Sequence, residues 1–344
     1  MSDAIDKTGN LAQAMEHAKQ LLDHDLQQAA LQLEEILAAV PDYAPAHFLK
    51  AVVLGQQQRG EQAIQALEKV LALDANHPEA WRLLADHSAA IGDKAASESA
   101  YLRHLQSATG NPNLQQAAAA MIANELPTAE RILKSHLKNA PTDVAAIRML
   151  AEVAVRVGRN DDAQALLEYC LELTPGFSGA RYNLAVLLHR TNKSDDALRE
   201  VDQLLAEEPD RPGYRNLAAV VCSRIGEYER SSQLYQALLE EYPQNAKVWL
   251  SYAHVLKTEG KREACEAAYR GAIDRDERFG EAYWSLANLK TFRFSEQDIA
   301  NMHRQVTRED LELSSRVQFH FALGKAAEDT GDYAESFDHY DKGN

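Results

Sequence analysis

The chain has 344 residues, with 36 Lys and Arg against 52 Asp and Glu and a formal charge of -16. Such an excess of acid argues against a nucleic-acid binder, because neutralising phosphates requires a basic surface. No segment has the apolar length that spans a membrane, and the opening MSDAIDKTGN has no apolar run of the secretory kind, so a cytoplasmic protein is expected.

Residues 1–9 read as a polar lead-in, and from Asn10 a 34-residue frame sets in. Position 8 of the frame is alanine in succession at Ala51, Ala85, Ala117, Ala151, Ala185, Ala219, Ala253 and Ala287, with one short step of 32 between Ala85 and Ala117. Pro141, Pro175, Pro209 and Pro243 recur at position 32, where a residue that cannot continue a helix punctuates each unit. Within a unit two apolar stripes follow one another at helical spacing. In the unit from Val144 they are Ile147, Leu150, Ala151 and Ala154, then Ala163, Leu167 and Cys170, with Gly158 breaking the pattern between them. Each unit is thus a helix-turn-helix hairpin, too short to bury its own apolar face, and neighbours must stack.

Taken in order, the unit from Asn10 is degenerate, with His17 at the small position and His24 at the turn, and reads as a cap; Ala29, Leu33, Ile36 and Pro41 restore the frame. The units from Ala44 and Pro78 are regular. The one from about Gly110 lacks two residues, and its thin helix, with the run Ala117 to Ala120, predicts a local change of curvature. The units from Val144, Ser178, Pro212 and Ala246 are the most regular. Gly280 opens a ninth whose second helix is not legible, so residues 10–290 make an array of eight full units and one first helix. Residues 291–316 read as an irregular connector, with Asp298 and Ile299 hinting at a short helix. Residues 317–344 form a last hairpin cut off in its second helix, with Phe319, Leu323, Phe337 and Tyr340 as an exposed apolar face.

This pattern resembles the tetratricopeptide repeat over nearly the whole chain. The marks are Trp81 and Trp249 at position 4, Gly92, Gly158, Gly226 and Gly260 at position 15, and Tyr101, Tyr235 and Tyr269 at position 24. The resemblance implies an all-α, right-handed superhelical solenoid. Residues 246–344, with GEAYWSLANLKTFRF and FALGKAAEDTGDYAESFDHYDKGN, further resemble the junction in bacterial TPR-containing sulfotransferases. That likeness implies a C-terminal domain beyond Asn344 that uses phosphoadenosine phosphosulfate (PAPS), with the repeats recruiting a protein substrate. The alternative is a free-standing adaptor that binds a peptide or partner protein with no enzyme in cis.

Within the chain itself no phosphate loop, dinucleotide fingerprint, zinc-protease or calcium-loop motif occurs, and no histidine is expected beside a carboxylate at metal-ligand spacing on one helix face. Neither catalysis, nor a metal, nor a cofactor is expected of these residues. Asp161 with Asp162 and Asp195 with Asp196 open second helices, where the helix dipole favours acid. Cys170, Cys222 and Cys265 fall on interior positions and read as reduced core residues.

In tetratricopeptide arrays the first helices line a concave groove, and the resemblance places positions 2, 5, 9, 12 and 13 there. The groove residues are then Arg148, Arg156, Tyr182, Arg190, Asn216, Arg224, His254 and Lys257, a basic and polar run that suits an acidic or carboxylate-bearing peptide. Arg156, Arg190 and Arg224, 34 apart, form either a ligand ladder or, as the stronger reading, cations placed at helix C-termini. Trp284 and Asn288 lie on the same face, with Trp284 expected to be covered by segment 291–316 or by a further domain rather than left as a contact. The two-carboxylate clamp of chaperone-tail adaptors and the asparagine ladder of O-linked N-acetylglucosamine transferases are not reproduced.

Overall fold

A computed structural model describes every residue except Met1, Asp23 and Lys290, with side chains described from Leu11 onward. The described residues form twenty helices and no strand. In order these are α1 (Ser2–Leu21), α2 (Leu26–Ala39), α3 (Ala44–Gln56), α4 (Gly60–Leu73), α5 (Pro78–Ala90), α6 (Lys94–Ala108), α7 (Pro112–Ile122), α8 (Leu126–Asn139), α9 (Val144–Arg156) and α10 (Asn160–Leu173). They continue with α11 (Ser178–Arg190), α12 (Ser194–Glu207), α13 (Pro212–Ile225), α14 (Tyr228–Glu241), α15 (Ala246–Thr258), α16 (Arg262–Arg275), α17 (Gly280–Ala287), α18 (Glu296–Val306), α19 (Leu313–Thr330) and α20 (Tyr333–Gly343).

Each hairpin is made by the same local chemistry. Asp25, Asp93, Asn111, Asp143 and Asn245 cap helices by accepting backbone N–H bonds, and Pro78, Pro112 and Pro212 stand in first turns, where their missing N–H costs nothing. The turn at position 15 requires a left-handed backbone. Gly92, Gly158, Gly226 and Gly260 supply it at φ of 72 to 91°, and Gln58, Asn124 and Asn192 adopt it at 57 to 61° where glycine is missing. The alanines at position 8 are buried, as are Ala29, Ala63, Ala129, Ala163 and Ala197 at position 20, so each hairpin's helices approach through small residues. The acid pairs at 161–162 and 195–196 sit in the first turns of α10 and α12, and the three cysteines are buried thiols outside any disulfide.

Two compact units result: residues 1–227 with 240–242, and residues 228–239 with 243–344. In the first unit, α1 takes in the stretch read as a polar lead-in. Its register departs from the expected frame by one residue: Ala18 is fully buried, whereas His17 is exposed. Met15, Ala18, Leu33, Ile36, Leu49 and Val53 then form the first core cluster.

In the second unit, the segment read as irregular is largely helical. Ser295 and Asp298 form a reciprocal capping box that starts α18, and Arg270 pairs with Asp298 at 2.8 Å. The last hairpin does not leave Phe319 and Leu323 exposed, as the sequence suggested. α19 packs on α17, burying Phe319 against the Tyr283 ring at 5.1 Å, and Leu323 with it. Phe337, at 74 % exposure, is the part of that face left open, and Tyr340 lies over Gly324.

Candidate functional site

In the first unit the array closes on itself. α13 packs against α5, and Arg211, at the mouth of α13, pairs through one guanidinium nitrogen with both carboxylate oxygens of Asp86, at 2.8 and 2.9 Å, 125 residues away in sequence. Asn216 donates its amide to the Ala89 carbonyl at 2.8 Å. Gly213 permits the approach: a Cβ there would stand 3.2 Å from that of Ala89. Tyr242 fastens the same seam. Its ring is fully buried over Gly60, where a Cβ would overlap it, and its hydroxyl lies 2.6 Å from Nδ1 of His87.

Burial without any charged partner holds the His87 imidazole well below its ordinary value, at about 4. Between about pH 6.5 and 4 the unfolded chain therefore takes up a proton that the folded chain refuses. Stability is complete above pH 6.5 and falls as pH drops, by about 2 kcal/mol at pH 5 from this residue. Urea titrations at pH 7 and 5 should show that loss, and a His87→Asn variant should lack that share of it.

Packing of α5 on α13 helps shape an open-mouthed cavity of about 530 Å³. Its charged lining is Arg82, Lys94, Arg148, Arg156, Arg190 and Arg211 against Asp86, Glu98 and Glu152, a basic interior in an acidic chain. Tyr101, Phe177, Tyr182 and Tyr214 supply aromatic walls, with Tyr182 stacked on Tyr214 at 5.8 Å. Arg148 is the central group. It is 8 % exposed, its guanidinium lies 4.0 Å over the Tyr101 ring and 5.4 Å from that of Phe177, and its one hydrogen bond is a long 3.4 Å contact to Oδ1 of Asn183. Nε of Arg148 and the Tyr101 hydroxyl are buried with no hydrogen-bond partner among the described residues. Desolvation pushes the Arg148 pKa down to about 10. The Glu152 carboxylate opposes that shift through space, but no carboxylate of a described residue hydrogen-bonds the Arg148 guanidinium.

Of the residues read from sequence, Arg148, Arg156, Tyr182, Arg190 and Asn216 meet at this cavity. They differ in freedom. Asn216 is engaged in closing the seam, and Arg156 is held by Glu152 at 3.0 Å and the Met121 carbonyl at 3.2 Å. Arg190 is exposed and makes no hydrogen bond or ion pair with a described residue, whereas Arg224 donates to Asn192 in the preceding turn at 2.9 Å. Those three arginines are therefore not equivalent rungs. In the second unit His254 contacts Ser285 at 3.3 Å and Lys257 is exposed. Trp284 is half-buried and packs with Phe321 of α19, 5.2 Å between rings, around the same core cluster as Phe292 and Phe294, and Asn288 folds its amide back to the Trp284 carbonyl.

Sequence reasoning missed Asp86, Arg211 and Phe177. The available signal was Gly179 and Gly213, both at position 2 and 34 apart: a Cβ on Gly179 would collide with the Arg148 guanidinium, so both glycines make room at the cavity. One expectation is also corrected. A histidine does share a helix face with a carboxylate, because α20 sets Glu335 and His339 one turn apart.

Models of the tetratricopeptide repeat match residues 20–87 and 154–221, and a further one matches residues 246–279. No curated protein matches the sequence. Among solved structures, MamA RS-1 (double mutant) is similar at 13 % identity over 48 % of this chain and 93 % of its own, with a TM-score of 0.46. MamA AMB-1 aligns at 19 % identity over 48 % and 99 %, TM-score 0.45. Human IFIT1, a dimer with m7Gppp-AAAA, aligns at 16 % over 87 % and 76 %, TM-score 0.49. The 34-residue hairpins, their left-handed turns and the matching repeat models agree: the chain is an all-α solenoid of tetratricopeptide repeats.

Proposed function

We propose that this chain is a protein-interaction scaffold whose cavity captures an acidic segment of a partner, with Arg148 as the anchoring cation. The observation that carries the reading is the isolation of Arg148: buried, ring-flanked and without a carboxylate in hydrogen-bond contact. A carboxylate arriving there would complete its hydrogen bonds and restore its preference for charge. The Tyr101 hydroxyl stands ready as a second donor. A cavity of about 530 Å³ accepts a few side chains and not a folded domain, so the ligand is an extended segment.

The test is titration of a fluorescein-labelled oligoglutamate peptide into the full chain and an Arg148→Met variant. Methionine nearly matches the volume and removes an unpaired buried charge, so the variant should melt no lower than the parent. Affinity should drop at least about 30-fold, the consequence of losing about 2 kcal/mol or more at a buried charged contact. Equal affinities would overturn the reading.

The finer reading, that the captured partner is the acceptor of an adjoining PAPS-dependent sulfotransferase domain, is supported by the resemblance of residues 246–344 alone. It predicts labelled sulfate on the captured partner in cells expressing the native gene product, and an adaptor with no enzyme in cis predicts none.

A further inference from the structure

The end of the second unit gathers three side chains that the binding cavity does not use. His303 of α18 and Glu335 and His339 of α20 bring their ligand atoms within 4.8 Å of one another. Nε2 of His303 is 3.5 Å from Oε1 of Glu335, and Nε2 of His339 is 3.8 Å from the same oxygen. Both distances are too long for hydrogen bonds. They approach what a shared ion demands: with bonds of about 2.0–2.1 Å, tetrahedral ligand atoms lie roughly 3.3–3.4 Å apart.

The far side of the cluster is already braced. Nδ1 of His339 lies 3.0 Å from Nδ1 of His320 on α19, a contact that holds one hydrogen between two imidazoles. If His339 donates that hydrogen, its Nε2 presents a lone pair to Glu335 and His303. Metal-ligating histidines are oriented in this way, the second ring nitrogen tied to an acceptor behind it. His339 is 6 % exposed, and the side chains of His303 and Glu335 are 43 and 46 % exposed, so the cluster has a fixed floor and an open mouth for ion entry and a water ligand. Nearby Lys342 is paired with Asp338 at 2.5 Å.

We propose that His303, Glu335 and His339 bind a divalent transition ion of the zinc class, with His320 as a positioning residue. Two imidazoles and one carboxylate suit Zn²⁺ rather than Mg²⁺ or Ca²⁺, which seek all-oxygen shells. Binding ties α20 to α18 and fixes the last hairpin.

The test is calorimetric titration of ZnCl₂ into the full chain freed of metal by chelator, with Co²⁺ absorption as a second readout of tetrahedral geometry. One ion per chain, a raised melting temperature and visible Co²⁺ bands are expected. The double variant His303→Ala/Glu335→Gln changes only half-exposed side chains and should keep the fold by circular dichroism while losing the ion. His339→Ala should also lose it, and His320→Phe should weaken it about tenfold or more. Absence of Zn²⁺ binding by the parent chain, or the same stoichiometry and affinity in the double variant, would overturn the assignment.

Discussion

Replacing Tyr242 by alanine is expected to lower the stability of the first unit by about 3–5 kcal/mol, the range for removing a large buried ring. Tyr242 is among the largest fully buried side chains, seated on the backbone of Gly60 and bonded to His87. Gly60, which the ring covers, has no side chain to move into the space it would leave, and His87 would lose its partner at the same time. Tyr242→Phe separates the two contributions. It keeps the ring and should lose only about 1 kcal/mol or a little more, the worth of the hydrogen bond. Urea unfolding followed by circular dichroism reads both. A Tyr242→Ala variant within about 1 kcal/mol of the parent would mean that the seam does not depend on this side chain.

Arg211→Met should cost about 2–3 kcal/mol and weaken ligand capture as well. Asp86 would be left with Arg82 at 3.4 Å as its cation, in a site where burial already pushes its carboxyl pKa up. Breaking a fully buried pair costs about 3–5 kcal/mol; the two side chains here are 18 and 21 % exposed, and solvent screening reduces the figure. Adding Asp86→Asn removes the stranded charge and should recover part of the loss. Hydrogen exchange in α5 should quicken in Arg211→Met and slow again in the double variant. If Arg211→Met leaves both exchange in α5 and oligoglutamate affinity unchanged, closure of α5 on α13 is not what shapes the cavity.

The repeat itself was legible because it is local chemistry repeated: a turn residue at position 15, alanine at position 8, proline at position 32. Arg148 and Tyr182 were legible for the same reason, since both stand at position 5 of a first helix. The partners that turn them into a site were not. Asp86 and Arg211 meet across 125 residues, and no 34-residue frame encodes which hairpins touch after several have stacked. Tyr242 did leave a trace. The residues before the other three regularly spaced prolines are Ala140, Thr174 and Glu208, and an aromatic side chain in that place is the exception. At the C-terminal end, no histidine was expected beside a carboxylate at metal-ligand spacing, and the third member of the cluster, His303, stands on α18 in a segment read as an irregular connector. Glu335 and His339 lie four residues apart within α20, which puts them one turn apart.

The most direct test of an anion site at Arg148 is the NMR signal of its side-chain Nε–H, assigned by its disappearance in Arg148→Met. Adding oligoglutamate should move that resonance as the unpartnered Nε–H finds an acceptor, with the Nε–H of Arg224, outside the cavity lining, left in place. If the peptide binds and the Arg148 resonance stays where it was, the ligand is held elsewhere and the account of the cavity is wrong.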